Sequence, residues 1–221
     1  GDVSAAATAS TAPPVVGGVK STHQTTGLIS LSWTVPTMGA GAAAVTGYNV
    51  YRNDGSKAGA VSVKAYTKVS GAAQTVELKE ASLGGGKAYS FQLTALSAAG
   101  EGDRSSVLVQ STSPVAPAAP ASSHQSYSTI TLSWSAPGVT TGGATTGYRV
   151  YMNDGTAGGA VMDTVSAGRS EGAAAKYNGT GSTATKTVIG GLTSGTEYKF
   201  TLAALNGAGE SNVSAVYARS T

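Results

Sequence analysis

Catalysis and metal binding need side chains that carry protons, lone pairs or nucleophilic sulfur, and this 221-residue chain has few of them. It has no cysteine, which excludes disulfides, thiolate nucleophiles and Cys-based metal sites. Its two histidines, His23 and His124, are each followed by Gln and stand at equivalent places in an internal repeat. A catalytic or metal role would require one site to be built twice, whereas a surface position copied with the repeat needs nothing more. Among the eleven carboxylates, Asp54 and Asp154 lie in Asn-Asp-Gly turns, and Glu101 and Glu210 occupy equivalent late loops. No spacing matches an EF-hand loop, a zinc set, a phosphate-cradling glycine loop or a nucleophile elbow. The sequence therefore predicts no catalytic residue, no cofactor, no metal site and no enzyme.

Weaker chemistry is available elsewhere. Tyr48, Tyr51, Tyr148 and Tyr151 could stack against sugar rings. On a strand, residues i and i+3 face opposite ways, so one of each pair is expected in the core and the other half-exposed. Asn178-Gly179-Thr180 and Asn212-Val213-Ser214 are N-glycosylation sequons if the chain passes through a eukaryotic secretory route, and Asn178 is expected in an exposed loop. The Ala/Ser/Thr/Pro tracts at residues 1–14 and 113–123 read as plain linkers or as O-glycosylated stalk.

The elements that position these residues follow from composition and repetition. Only 11% of residues are charged against 40% apolar, which is the profile of a folded chain and not of a disordered one. The net charge of +3 is the balance of 14 Lys and Arg against 11 Asp and Glu, and the basic residues, among them Lys20, Arg52, Lys57, Lys64, Lys68, Lys79, Lys87 and Arg104, are scattered with no basic stripe, so no nucleic-acid partner is expected. No apolar run reaches the length of a membrane span, and the first residues lack a signal-peptide layout, so the chain reads as a mature product or an excised segment.

Residues His23–Pro36 return as His124–Pro137, Gly47–Gly55 as Gly147–Gly155, and Tyr89–Glu101 as Tyr198–Glu210. The second copy has gained about eight residues, placed around residues 168–182. Between the copies, Ser113–Pro120 carries three prolines, which favour an extended connection because each ring fixes φ and removes a donor. The expected organisation is a tail at 1–11, a first domain at 12–112, a linker at 113–120 and a second domain at 121–221.

Alternation assigns strands within each copy. Ile29, Leu31 and Trp33 share one face, as do Ile130, Leu132 and Trp134; Tyr89, Phe91, Leu93 and Ala95 share another, as do Tyr198, Phe200, Leu202 and Ala204. Closing strands are expected at Val107–Val109 and Val213–Tyr217. Short strands punctuated by turns indicate an all-β chain of two tandem antiparallel β-sandwiches.

The pattern resembles the fibronectin type III family, an Ig-like sandwich. The likeness rests on early Pro13, Pro14, Pro117 and Pro120, on Trp33 with Pro36 and Trp134 with Pro137, and on Tyr48 and Tyr148. It rests also on a corner of Leu192, Gly195 and Tyr198, matched more loosely by Leu83, Gly84-Gly85-Gly86 and Tyr89. The resemblance implies a core built on Trp33, Tyr48, Tyr89, Trp134, Tyr148 and Tyr198. The family's integrin-binding Arg-Gly-Asp is absent, its loop holding Gly102-Asp103-Arg104 in reversed order. The implied role is a non-catalytic structural or adhesive module of an extracellular or cell-surface protein. Its partners would be proteins, glycans or copies of itself, through loops and sheet edges, including head-to-tail filament assembly with the N-terminal tail as donor. The alternative is an accessory spacer or carbohydrate-binding region of a larger secreted carbohydrate-active enzyme.

Overall fold

The computed structural model describes residues 11–53, 55, 61, 63–79, 83–138, 143–153, 155 and 177–221. The N-terminal tail through Ser10, Asp54, Asp154 and most of the segment gained by the second repeat lie outside these residues. Every regular element described is a strand.

The first repeat contains β1 (Gly17–Gln24), β2 (Leu28–Thr34), β3 (Gly47–Arg52), β4 (Val63–Ser70), β5 (Thr75–Lys79), β6 (Ala88–Ser97), β7 (Gly100–Glu101) and β8 (Leu108–Ser111). One sheet runs β1-β2-β5; the other runs β4-β3-β6-β7, with β8 also pairing β6. The second repeat contains β9 (Ala121–Gln125), β10 (Thr129–Ser133), β11 (Gly147–Met152), β12 (Tyr177–Thr180), β13 (Lys186–Gly190), β14 (Glu197–Asn206), β15 (Gly209–Glu210) and β16 (Tyr217–Ser220). Its sheets run β13-β10-β9 and β12-β11-β14-β15, with β16 also pairing β14.

Each interior is filled by the apolar halves of alternating strands. In the second repeat Ile130, Leu132, Trp134, Tyr148, Val150, Ile189, Leu192, Tyr198, Phe200, Leu202 and Ala204 form one buried cluster. In the first, Ile29, Leu31, Trp33, Tyr48, Val50, Tyr89, Phe91, Leu93 and Ala95 are buried in the same way. The two sheets of each repeat are joined by an edge-to-face aromatic contact. Trp33 meets Tyr48 at 5.1 Å between centroids and 61°, and Trp134 meets Tyr148 at 5.4 Å and 62°. That geometry sets the electropositive edge of one ring against the electron-rich face of the other.

Burying a phenol disfavours its charged form. Desolvation holds the Tyr48 and Tyr148 hydroxyls above the usual tyrosine range; for Tyr48 the neighbouring Trp33 indole pulls the other way, less strongly.

Three expectations are corrected. The closing strands start later than Val107 and Val213: they are Leu108–Ser111 and Tyr217–Ser220. The segments before them are held by serine hydroxyls instead of by a regular ladder. Ser105 Oγ accepts the Leu93 amide at 3.0 Å, Ser214 Oγ the Leu202 amide at 3.0 Å and Ser211 Oγ the Ala204 amide at 3.0 Å. Each hydroxyl supplies an acceptor that a regular partner strand would have supplied from its backbone. Second, Asn178 lies in β12, opposite Arg149 of β11, and not in a loop. Third, β3 is buried along its whole length, so its outward residues are covered as well as its inward ones.

Two outcomes follow for the cores. Trp134→Ala should destabilise the second repeat by about 3–5 kcal/mol, because a large cavity opens at the sheet-to-sheet contact; urea melts of the chain check this, and an unchanged transition would refute it. A phenol favoured in its neutral form by the fold contributes stability that is intact below the unfolded value of 10.0 and is lost as pH rises through the higher folded value. The melting temperature should therefore fall steeply only above about pH 10, together with late tyrosinate absorbance, and Tyr48→Phe with Tyr148→Phe should flatten that fall.

Candidate functional site

The most concentrated polar chemistry lies on the outer face of each larger sheet, around a glutamate. Strand β6 turns back on itself through β7, pairing Leu96 with Glu101 and Ser97 with Gly100; β14 and β15 repeat this with Leu205–Glu210 and Asn206–Gly209. The turn demands glycine at one place: Gly100 and Gly209 have φ of 123° and 127°, where side-chain-bearing residues are strained. The hairpin then brings each glutamate onto its sheet.

Glu101 Oε1 accepts three hydrogen bonds, from Tyr51 Oη at 2.5 Å, Thr94 Oγ1 at 2.5 Å and Asn49 Nδ2 at 2.9 Å. In the second repeat Glu210 Oε1 accepts from Tyr151 Oη at 2.6 Å, and its other oxygen pairs with Arg149 at 2.9 Å. The Glu210 side chain is only 4% exposed. The register pairs Asn49 with Thr94 and Arg149 with Ala203, so the second copy has lost a hydroxyl donor and gained a cation at the neighbouring position. Loss of solvent lowers the Arg149 pKa, but Glu210 and the bonds to Glu210 and Tyr151 outweigh it and hold the guanidinium charged.

These carboxylates are anchors. They accept hydrogen bonds from donors of the same sheet, which ties the hairpin to β3 or β11. Arg104 is also engaged internally: its guanidinium stacks 4.1 Å from the Tyr51 ring centroid and donates to the Val61 carbonyl. In Gly102-Asp103-Arg104, therefore, the arginine serves the fold.

The tyrosines proposed as sugar platforms do not offer faces to solvent. Tyr48 and Tyr148 are in the cores, and Tyr51 and Tyr151, expected half-exposed, are only 8% and 7% accessible. The correction has a physical cause, since the outward phenols are covered by the hairpins whose glutamates they bond. Among the described residues, Tyr127, in the turn between β9 and β10, is a large exposed aromatic that alternation could not single out.

The six expected core residues, Trp33, Tyr48, Tyr89, Trp134, Tyr148 and Tyr198, are all buried. Tyr198 Oη accepts the Thr193 amide at 3.0 Å, closing the corner over Gly195, whose φ is 71°. In the first repeat the Arg52 guanidinium lies 5.8 Å from the Tyr89 ring centroid. Asn53 and Asn153 extend β3 and β11 with their side chains: Asn53 Oδ1 accepts the Ser90 amide at 3.0 Å, and Asn153 Oδ1 the Lys199 amide at 2.9 Å. His23 and His124 are exposed on β1 and β9. Asn212 is exposed, whereas the hydroxyl of its sequon partner Ser214 is engaged inside the fold.

Sequence reading missed the glutamate anchors, although a signal existed in the recurrence of Tyr51 with Glu101 and of Tyr151 with Glu210. Glu210→Ala should cost about 1–3 kcal/mol, as Tyr151 and Arg149 lose a buried acceptor. In a double-mutant cycle with Tyr151→Phe the two losses should be clearly non-additive; additive urea-melt values would disprove the coupling.

The Fibronectin type III domain model matches residues 12–111 and 115–219. Chitinase A1 of Niallia circulans is 37% identical over 215 residues, covering 93% of this chain and 25% of that protein, so the chain spans about a quarter of that relative's length. A two fibronectin type III domain segment from chicken tenascin aligns at 18% identity and TM-score 0.44, over 93% of this chain and 99% of that one. The chicken CNTN1 FN1–FN3 structure aligns at 18% identity and TM-score 0.47, over 96% of this chain and 69% of that one. With the family matched over both repeats, the chain belongs to the fibronectin type III family, as two tandem domains.

Proposed function

We propose that the pair is a non-catalytic structural module of an extracellular or cell-surface protein, setting distance between flanking parts and presenting loops and strand edges to partners. The observation that carries this reading is the use of the polar side chains. Glu101, Glu210, Tyr51, Tyr151, Arg104 and Arg149 are engaged with one another or with backbone, so the strongest polar chemistry of the chain is spent on holding sheets and hairpins. Adhesion, and assembly of copies into filaments, are specific forms of this role.

A second reading is favoured by a separate observation. The 37% identity to Chitinase A1 runs through both domains, which supports an accessory spacer in a secreted carbohydrate-active enzyme. In that reading the buried Tyr51 and Tyr151 leave polysaccharide contact to other parts of the protein. Glycans are a further expected feature. For Asn212 the engaged Ser214 hydroxyl favours attachment before the domain folds, because oligosaccharide transfer needs the sequon hydroxyl accessible.

The deciding experiment incubates the purified pair with insoluble chitin and cellulose and with soluble oligosaccharides. The structural reading expects the protein to stay in the supernatant and release no reducing sugar. Retention on chitin would replace it by a carbohydrate-binding role, and hydrolysis would overturn the non-catalytic assignment.

A further inference from the structure

Strand β8 ends its sheet: it pairs β6 on one side, and no described strand lies on the other. An open edge carries unpaired N–H and C=O groups and accepts another strand unless charge, proline or a bulge prevents it. Of the other edges of the described sheets, β1 carries charge at Lys20 and β16 at Arg219, while β9 and β12 are uncharged like β8 but are not flanked by a pair of open valines. Around β8 the sequence from Ser105 to Ser123 contains no charged residue. Two valines there are notably open, Val107 at 53% and Val109 at 62%.

The occupant follows from the order of the residues. Ser106-Val107-Leu108-Val109-Gln110 reads almost the same in both directions. In an antiparallel pair related by a two-fold axis through Leu108, Val107 faces Val109 of the partner subunit and Ser106 faces Gln110 of the partner subunit. Two-fold pairing brings a strand against its own sequence in reverse. An edge bearing charges of one sign would tend to repel its copy; this one has none to oppose. The symmetric arrangement also gathers four exposed valines on one sheet face, and β-branched cross-strand pairs stabilise such a ladder.

We infer that residues 106–110 form a self-association edge, in which Ser106 and Val107 extend β8 at its N-terminal end and two copies of this chain pair antiparallel about Leu108 into one continuous sheet. The second domain lacks an equivalent, because its corresponding strand β16 carries Arg219, whose side chain donates to Gln125 at 3.1 Å. The inference does not depend on which larger protein contains the pair. A contact of about five residues per copy belongs to the small, transient class of interfaces, so the association is weak in isolation and strengthened where many copies are held together.

The absence of native cysteine makes the test direct. Val107→Cys and Val109→Cys proteins are mixed at high concentration and oxidised mildly. Directly opposed residues on an antiparallel pair lie about 4.5–5.5 Å apart at Cβ, and diagonal ones about 7–8 Å, so a disulfide should form chiefly between position 107 of one copy and 109 of the other. The expected result is a several-fold excess of the mixed disulfide over either homodimer. Sedimentation should also show concentration-dependent dimerisation of the native chain, abolished by Val109→Lys with the thermal melt unchanged. Equal yields of all three disulfides would overturn the register. A chain that stays monomeric at its highest soluble concentration, with no disulfide formed, would overturn the inference, and capture of a foreign strand by that monomer would reassign the edge to a different partner.

Discussion

Burial of the central strand on both of its faces is the constraint on which each domain depends. Inward, Tyr48 and Tyr148 meet Trp33 and Trp134 and bind the two sheets together. Outward, Tyr51 and Tyr151 point where a sandwich would ordinarily meet water, yet both are covered. A strand enclosed in this way must have its outward polar groups satisfied, or the desolvation cost would exceed what packing returns. The short β7 and β15 hairpins supply the partner, each laying one carboxylate across the strand.

The two copies solve the same problem with different donors. In the first domain one glutamate oxygen gathers a phenol, an amide and a threonine hydroxyl, all neutral. In the second the phenol remains, alanine stands where the threonine was, and an arginine stands where the asparagine was. What persists is a glutamate acceptor bonded to the outward tyrosine, exposed in the first domain and buried in the second, with different donors around it. The serines before the last strands follow the same rule, since Ser105, Ser211 and Ser214 supply acceptors where the ladder is interrupted.

This economy bears on function. Side chains that attract attention as chemistry in a linear reading, namely the repeated glutamates, the paired tyrosines and the arginine of the reversed Gly-Asp-Arg, are consumed in joining elements of one fold. Among the described residues, exposed apolar groups include Tyr127 in a hairpin turn, Val188 on β13, and Val107 and Val109 at an uncharged strand edge.

Much of the architecture was legible from residue order alone. Alternation is a local property of the strand backbone, so Ile29, Leu31 and Trp33, or Tyr198, Phe200 and Leu202, declare a buried face without knowledge of what covers it. Repetition gave the duplication in the same way, and the Leu192-Gly195-Tyr198 corner could be read because its bond from the Thr193 amide to the Tyr198 hydroxyl spans a few residues. The glutamate anchors, the burial of Tyr51 and Tyr151, the late start of β8 and β16 and the strand setting of Asn178 were decided only in three dimensions. Each depends on groups distant along the chain, as when Glu101 reaches back to Asn49 and Tyr51. Local periodicity says which way a side chain points, while the presence of water or protein at that place is set by how the hairpins close over the sheet.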